Sequence, residues 1–261
     1  MPAPQRVLLE VVADVARAAG DVATRHFRRS PAVELKSDGS EVTAADREAE
    51  TRAREMILQL FPGDAVLGEE YGASGRPGVR RWLIDPIDGT RSFIRGVPLW
   101  GTLVAVEESG TVLAGAICCP ATGDLVVAAR GEGCWHNDSR ARVSAVADLA
   151  SATILATDSR FPTNPARAHR WSALAASVGI ARTWGDCYGY VLVATGRAEL
   201  MADDRLNPWD AAALVPVIEE AGGVYTDWRG QPGIGADGVA TNAALANALR
   251  QRLAIPESPA S

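Results

Sequence analysis

The sequence has few of the residues that build disulfide frameworks, zinc sites and histidine-centred catalytic sites. Its four cysteines, Cys118, Cys119, Cys134 and Cys187, form no CxxC pair, which argues against both a zinc site and a disulfide framework and favours buried free thiols. The three histidines are scattered singly, so neither an HxxxH metal pair nor a histidine-centred triad is supported. We therefore expect the chemistry of this chain to depend on other residue types.

Long apolar runs and clusters of basic residues are also missing. Glu10, Asp14 and Arg17 interrupt the N-terminal segment before any apolar stretch reaches the length of a signal peptide or a membrane span. The 26 Lys and Arg against 32 Asp and Glu give a net charge of -6, and there is no basic run of the kind that grips a phosphate backbone. These absences predict a soluble cytoplasmic protein that binds neither nucleic acid nor a membrane.

The order of apolar patterns predicts a mixed architecture. With 261 residues and 47% apolar composition, the chain can bury a core in each of two closely packed halves, 1–135 and 136–261. Apolar positions three and four residues apart predict helices over 8–27 and 49–60. Short apolar runs broken by turn residues predict strands over 82–130, and strands then alternate with helices. We expect an α+β N-terminal half and an α/β C-terminal half that share a crevice.

The segment WLIDPIDGT (82–90) places two carboxylates directly after an apolar run that is predicted to be a buried strand. The proline between them keeps Asp85 extended at the strand end. Beyond Asp88, Gly89 and Thr90 present backbone N–H groups at the first turn of a short helix, which is an anion site. Taken alone, the motif also fits an aspartate-rich turn with local backbone hydrogen bonds.

Two further segments place carboxylates in polar turns or at a helix start. Glu69 and the next glutamate end the apolar run of VLGEEYG, which alone reads as a solvated loop. In NPWDAAALVPVIEEAGG, Asn207 caps a predicted helix and Asp210 lies in its first turn, where it also complements the helix dipole. Pro216 predicts a kink or an irregular end in this helix.

If these carboxylates lie close together in the fold, they predict a metal site. Glu69, Asp85, Asp88 and Asp210 would repel one another strongly in a partly dry cleft, so a cation must lie among them. A ligand set made only of oxygens suits Mg²⁺ and disfavours zinc. Divalent ions beside an N–H anion site are typical of phosphate ester hydrolysis.

The three segments GEE, WLIDPIDGTRSF and WDAAALVPVIEEAGG, in this order and at these separations, resemble the signatures of the inositol monophosphatase family. The members of this family are Mg²⁺-dependent, lithium-sensitive phosphatases, and the resemblance covers nearly the whole chain. It implies a layered αβαβα sandwich of the inositol monophosphatase and fructose bisphosphatase type. It also implies a homodimer, with the site between the two halves of each chain.

The resemblance implies a metal-binding role for five residues. Glu69, Asp85 and the carbonyl of Ile87 would hold one Mg²⁺, and Asp85, Asp88 and Asp210 a second. Glu69 would also serve a third, more weakly held ion. Mn²⁺ remains an alternative, because it accepts the same oxygen ligands.

The resemblance also implies roles in phosphate binding and in activation of water. Gly89 and Thr90 would bind the phosphate, and Thr90 would act with the metal-binding glutamate to position and deprotonate the attacking water. Thr43 and Asp46 match a T-x-x-D segment in which the aspartate hydrogen-bonds the catalytic threonine, and they also fit a capping box. Lys36 matches a lysine near the metal site, with a solvated loop lysine as the alternative.

The segment ARTWGDCYGYVLVATGRAEL (181–200) bears on the substrate. Its Gly185-Asp186 step replaces a small-residue step beside the sugar ring of inositol phosphatases, and the segment resembles the histidinol-phosphate phosphatase branch. Asp186 could pair with a substrate amine, or could simply cap a helix. The Arg182 guanidinium could form paired hydrogen bonds with the phosphate or with an acidic neighbour. Asp203 occupies a position where relatives carry a substrate-contacting acid.

The predicted function is that of a Mg²⁺-dependent phosphate monoester hydrolase, with L-histidinol phosphate as the expected substrate. Extra carboxylates near the substrate favour a cationic ester over inositol, which has no positive charge. A myo-inositol-1-phosphatase or a broad sugar-phosphate phosphatase is the alternative enzyme. A non-catalytic regulatory protein is disfavoured, because a scaffold has no need of the whole ligand set.

Overall fold

The computed structural model describes residues 4–29, 32–36 and 39–256. The helices in these ranges are α1 (Gln5–Thr24), α2 (Ala44–Leu60), α3 (Thr90–Ile94), α4 (Pro165–Ala175), α5 (Asp186–Ala194), α6 (Pro208–Ala212), α7 (Leu214–Glu220) and α8 (Ala246–Leu253). The first strands are β1 (Val33–Leu35), β2 (Glu41–Thr43), β3 (Ala65–Gly68), β4 (Gly72–Ser74), β5 (Arg81–Asp88), β6 (Gly101–Glu108), β7 (Thr111–Cys119) and β8 (Asp124–Ala129). The remaining strands are β9 (Gly133–His136), β10 (Ser139–Arg140), β11 (Thr153–Ala156), β12 (Ile180–Arg182), β13 (Leu200–Asp203), β14 (Val224–Thr226) and β15 (Gly238–Thr241).

Two large sheets organise the chain. One has eight strands in the order β10-β9-β8-β7-β6-β5-β3-β4, and it is antiparallel except for the β3–β5 pair. The other has five strands in the order β12-β11-β13-β15-β14 and begins with parallel pairing of β11 to β12 and β13. The first sheet continues to Arg140 and the second starts at Thr153. The division into halves near residue 135 stays a proposal.

Alternating side chains on the strands separate the cores. On β5, Trp82 and Ile84 face a cluster that also contains Val12 of α1 and Ala49 of α2, whereas Leu83 faces the opposite cluster. That second cluster joins the eight-stranded sheet to α5, α6 and α7 and to one face of the five-stranded sheet. A third cluster buries α4 and α8 on the far face of the five-stranded sheet. The resulting order of layers is αβαβα, as predicted.

The cysteines and two of the histidines lie in structural positions of the fold. All four cysteines are buried free thiols, as predicted. His26 pairs with Glu48, and His136 pairs with Asp124. Across the described ranges, no helix combines the length and the apolar character needed to cross a membrane.

Candidate active site

The C-terminal end of β5 sets the position of the first two carboxylates. The pairing of β5 with β6 shifts register between Asp85 and Asp88, so the strand departs from regular geometry there. The Ile87 N–H donates to Asp85 Oδ1 at 3.0 Å, and the Thr102 hydroxyl donates to the Pro86 carbonyl at 2.8 Å. These bonds hold Asp85 and Asp88 at the end of a buried strand.

The chain then turns into α3 through a glycine that its surroundings require. Gly89 has φ +84°, and a Cβ there would lie 2.9 Å from the Leu99 carbonyl oxygen. The first N–H groups of a helix have no intrahelical partner, so the Gly89-Thr90 step offers donors to an anion. The Thr90 hydroxyl donates to the Ile87 carbonyl at 2.9 Å. The short helix was predicted at this place.

Glu69 lies beyond the end of β3, the parallel neighbour of β5, and it has a cationic partner. Lys36 Nζ lies 2.7 Å from Glu69 Oε1 and 2.6 Å from Glu70 Oε1. Burial acts to lower the pKa of Lys36, but the hydrogen bonds to the two glutamates outweigh it and raise that pKa. Burial raises the pKa of Glu70 to about 7 despite this contact. The family resemblance predicts that Lys36 lies near a metal site, but the sequence does not reveal this double pairing.

Asp210 reaches the cluster from the layer on the other side of the sheet. It lies in the first turn of α6, and its Oδ2 accepts the Asn207 N–H at 2.7 Å, as a helix-start capping contact does. Pro208 occupies the first turn of this helix, where its missing N–H costs no hydrogen bond. Burial raises the pKa of Asp210 to about 6, against the opposing effect of the Asn207 bond.

Electrostatics show that the carboxylates interact. Asp85 is buried, and its pKa is raised well above the usual range by burial and then by Glu69, Asp210 and Asp88. Burial, Asp186 and Asp210 likewise raise the pKa of Asp88. Two carboxylates about 4 Å apart repel by about 4 kcal/mol at an effective dielectric constant of about 20. This repulsion is what a bound divalent cation would offset.

The oxygen ligands of these residues suit a hard divalent cation, although the side chains are not arranged closely enough to surround one. Within the described residues, no three carboxylate, imidazole or thiolate groups converge closely enough to enclose a metal ion. Protein donors hold the candidate ligands instead: Lys36 on Glu69, and the backbone N–H groups of Ile87, Cys187 and Asn207 on Asp85, Asp88 and Asp210. The set still consists of buried or half-buried oxygen ligands that repel one another, which suits Mg²⁺ or Mn²⁺.

The hydrogen bond expected between Asp46 and Thr90, the threonine predicted to be catalytic, is absent from the described residues. Asp46 Oδ2 accepts from the N–H of Thr43 at 2.8 Å and from its hydroxyl at 2.7 Å. These bonds form the capping box that opens α2, as the alternative reading of this motif predicted. Thr90 instead bonds the Ile87 carbonyl three residues back. At both residues the hydrogen bond is made to a local partner, because that partner is already in place once the turn forms.

An acidic cavity of about 320 Å³ lies beside Asp88 and Asp210. Six aspartates line it: Asp88, Asp158, Asp186, Asp203, Asp204 and Asp210. A second cavity of about 400 Å³ shares Thr157, Asp158 and Asp186 with the first. A groove of about 430 Å³ beside α1 is lined by none of the candidate residues among those described, so chemistry rather than size selects the site.

Protein groups already pair most of these aspartates. Asp158 is held by Arg160, and Asp204 by Arg167 and Thr163. Asp203 ends β13, where it is buried and accepts hydrogen bonds from the Tyr190 hydroxyl at 2.9 Å and from the Thr157 N–H at 3.4 Å. Burial raises the pKa of Asp203 to about 6. These contacts orient Asp203 on the cavity wall.

Asp186 differs from the other cavity aspartates. Among the described residues, none donates a hydrogen bond to its carboxylate, and its side chain does not cap α5. Its backbone is left-handed, with φ +51°, and its N–H donates to the Thr157 hydroxyl. Gly185 before it is also required, because a Cβ there would lie 2.3 Å from Thr157 Cα. Burial, Asp203 and Asp210 raise the pKa of Asp186 to about 7.

Arg182 is not brought to this cavity. It ends β12, is exposed, and donates to the carbonyl of Ala181. It lines a separate groove beside Trp171 of α4. The edge strand ends before the chain turns toward the site at Gly185, so Arg182 stays outside. Sequence reasoning also missed the Cys187 N–H on Asp88, although the first turn of a predicted helix always offers such donors.

Comparison with known proteins agrees with this geometry. The model of the inositol monophosphatase family matches residues 5–257. The chain belongs to this family. The histidinol-phosphatase of Chlorobaculum parvum is 44% identical over 227 residues, covering 87% of this chain and 88% of that protein. The histidinol-phosphatase of Mycobacterium tuberculosis is 39% identical over 227 residues, covering 85% of this chain and 87% of that protein.

The fold is also that of solved structures, including that of an inositol monophosphatase from Zymomonas mobilis, with a TM-score of 0.84 at 28% identity over 97% of this chain and 100% of that chain. The extragenic suppressor protein suhB from Bartonella henselae superposes with a TM-score of 0.87 at 30% identity, covering 95% of this chain and 98% of that chain. The predicted family and layered fold are therefore confirmed. Inositol monophosphatase family members are generally metal-dependent.

Proposed function

We propose that this protein is a Mg²⁺-dependent phosphate monoester hydrolase that converts L-histidinol phosphate and water into L-histidinol and phosphate. The hydrolase class is supported by family membership and by the buried Asp85 together with the half-buried carboxylates of Glu69, Asp88 and Asp210. The substrate is supported by the histidinol-phosphatase names of the relatives at 44% and 39% identity.

The observation that carries the substrate proposal is the free carboxylate of Asp186 on the cavity wall. A carboxylate that lacks a donor in a partly buried site costs free energy unless a ligand supplies one. The amine of histidinol phosphate is cationic and can donate to it. Asp203, oriented by Tyr190 and Thr157, adds negative charge to the same wall. Inositol phosphate has no cation to place there.

The protein groups divide the reaction between them. The N–H groups of Gly89 and Thr90 bind the phosphate oxygens and orient the ester for attack. The Thr90 hydroxyl, held by the Ile87 carbonyl, accepts a hydrogen bond from the attacking water. Glu69 takes the proton of that water as the oxygen–phosphorus bond forms. The ester bond breaks, and the leaving alkoxide takes a proton from solvent water to give the alcohol. Lys36 competes with this role, because it pairs with Glu69.

Mg²⁺ would be held by the carboxylates of Glu69, Asp85, Asp88 and Asp210 and by the Ile87 carbonyl, in two or three positions. When bound, it supplies positive charge that stabilises the leaving oxygen and makes water more acidic. Asp46 and Thr43 support the start of α2 beside this cluster.

Substitution of Asp186 tests the substrate proposal. Asp186→Asn removes the charge but keeps a residue type that tolerates the left-handed backbone, which alanine does not. We expect KM for L-histidinol phosphate to rise about 10-fold or more, the value of one charged hydrogen bond, while KM for myo-inositol 1-phosphate changes by less than about twofold.

Asp158→Asn is the matched control. It removes a negative charge from the same cavity, but Arg160 already pairs that charge. It should have a smaller effect on both substrates. Equal effects of Asp186→Asn on the two KM values would contradict an amine-binding role for Asp186.

We also propose that the protein is a cytoplasmic homodimer and that lithium inhibits it, as the family resemblance implies. Light scattering at assay concentration measures the oligomeric state, and a lithium titration at fixed Mg²⁺ measures inhibition. A monomer, or full activity at high lithium concentration, would contradict the respective proposal.

A further inference from the structure

Glu50 is a buried acidic residue on α2 that takes no part in the proposed reaction. Its side chain is fully buried, and it accepts three hydrogen bonds. Arg54 Nε donates to Oε1 at 2.7 Å, the Tyr71 N–H donates to Oε1 at 3.2 Å, and the Glu70 N–H donates to Oε2 at 2.7 Å. Two of its three donors are therefore the backbone groups that directly follow Glu69.

The backbone of this loop leaves room for Glu50. A Cβ on Gly68 would lie 2.1 Å from Glu50 Oε1 and 2.3 Å from the carboxyl carbon. Any larger residue at position 68 would displace the carboxylate from the N–H groups of Glu70 and Tyr71. The glycine before Glu69 is thus fitted to a glutamate on a different element.

Arg54, the charged partner of Glu50, also contacts β4 in the hairpin that β3 and β4 form. One turn after Glu50 on α2, it donates to the Ser74 hydroxyl at 2.9 Å and to the Gly72 carbonyl. The charged pair Glu50–Arg54 therefore joins α2 to the turn between β3 and β4. A buried ion pair tolerates little displacement, because moving one partner leaves the other charge unpaired.

Glu69 is held between this pair and β5. Its own N–H donates to the Ile84 carbonyl at 3.2 Å, directly before Asp85. The next two N–H groups are held by Glu50. The backbone at Glu69 is thereby tied on one side to the strand that carries Asp85 and on the other to α2, which also carries Asp46.

We propose that Glu50 is a positioning residue that fixes the Glu69 loop and thereby sets the affinity of the site for Mg²⁺. This inference rests on the proposed function, since it takes Glu69 as a metal ligand. Glu50 acts through the backbone of Glu70 and Tyr71 and does not touch the substrate or the ion. Groups that orient metal ligands typically change metal affinity by about 10- to 100-fold when they are replaced.

Glu50→Gln tests the proposal, with Glu55→Gln as the matched control. The glutamine has the same shape but offers one acceptor oxygen and an unwanted donor to the two N–H groups. Glu55 lies on the same helix but is exposed, and its carboxylate lies 4.0 Å from Arg52. Calorimetry measures Mg²⁺ affinity, and hydrogen exchange measures protection of the amides of Glu70 and Tyr71.

We expect Glu50→Gln to weaken Mg²⁺ binding about 10-fold or more and to speed exchange at these two amides. KM for the substrate at saturating Mg²⁺ should change by less than about twofold, because the substrate pocket lies elsewhere. Glu55→Gln should leave both quantities unchanged. Mg²⁺ affinity equal to wild type in folded Glu50→Gln would overturn the proposal.

Gly68→Ala provides an independent route if Glu50→Gln folds poorly. The added Cβ displaces Glu50 without changing its charge, so the loss of Mg²⁺ affinity should be similar and the double variant should not lose more. Fully additive losses would overturn the shared mechanism.

Wild-type protein that binds Mg²⁺ but releases no phosphate would contradict the proposed function and still leave the affinity test valid. Wild-type protein that does not bind Mg²⁺ would overturn both.

Discussion

At the scale of single residues, Asp85 shows why we propose a functional rather than a stabilising role for this cluster. It is buried at the end of β5 and accepts the Ile87 N–H. Its other neighbours include Glu69, Asp88 and Asp210, and all three raise its pKa in addition to the effect of burial. A residue that served only stability would be surrounded by donors, because ionised carboxylates in one buried site destabilise the folded state.

Asp85→Asn should separate activity from stability. Asparagine can still accept the Ile87 N–H but removes the charge proposed to bridge two ions, so we expect kcat/KM to fall by at least about 100-fold. The free energy of unfolding, measured with urea in EDTA at neutral pH, should not fall, because a buried charge is removed. The exposed Asp14→Asn on α1 serves as control. Near wild-type turnover in Asp85→Asn would contradict the two-metal assignment.

At the scale of elements, the helix that carries Asp210 is broken for a reason visible in the sequence. Pro216 has no N–H to offer the carbonyl of Ala212, four residues earlier, and α6 ends at Ala212 before α7 starts at Leu214. The break at Ala213 packs on β7, where a Cβ on Gly115 would lie 2.7 Å from the Ala213 carbonyl oxygen. This close approach holds α6 against the sheet.

Gly115→Ala should therefore weaken both the fold and the site. The added methyl meets rigid backbone, so we expect a loss of about 1 to 3 kcal/mol in the free energy of unfolding, measured by urea denaturation. The Mg²⁺ concentration for half-maximal activity should also rise, because Asp210 moves with α6. Gly63→Ala is the control, since a Cβ there meets nothing within 4 Å, and it should change stability by less than about 0.5 kcal/mol. Equal stability of the two variants would refute the close packing.

Local signals explain which elements the sequence predicts. The apolar run before Asp85, the glycine at position 89 and the Asn207-Pro208 helix start all act within a few residues, and β5, α3 and α6 appear where they predict. The pairs Lys36–Glu69 and Cys187–Asp88 join residues 33 and 99 positions apart, and only the fold brings them together. Within the described residues, the Asp46–Thr90 bond expected from the family resemblance is not formed, and each residue bonds a local partner instead.

At the scale of the whole molecule, the five layers bury carboxylates that oppose folding when they ionise. Asp203 is the clearest case, because burial raises its pKa from 3.8 to about 6 while Thr157 and Tyr190 oppose the rise. Its folded-state pKa lies above its unfolded value. The stability that this group contributes is therefore fully present below about pH 4 and is lost as pH rises through about 6.

Comparison of wild type with Asp203→Asn across pH tests this linkage. Asparagine does not ionise and still accepts from the Tyr190 hydroxyl. Between pH 4 and pH 7.5 in EDTA, we expect wild type to lose about 1 to 3 kcal/mol of unfolding free energy relative to Asp203→Asn. Urea denaturation at several pH values measures the difference. A stability difference that does not change with pH would show that Asp203 is not the titrating group.

The central claim is that this site hydrolyses a cationic phosphate ester with the help of divalent metal. Its most direct test is phosphate release from L-histidinol phosphate and myo-inositol 1-phosphate in parallel, with Mg²⁺ and with EDTA. We predict that kcat/KM is about 10-fold or more higher for L-histidinol phosphate and that EDTA abolishes release from both. A preference for myo-inositol 1-phosphate would contradict the proposed substrate, and release that persists in EDTA would contradict the metal site.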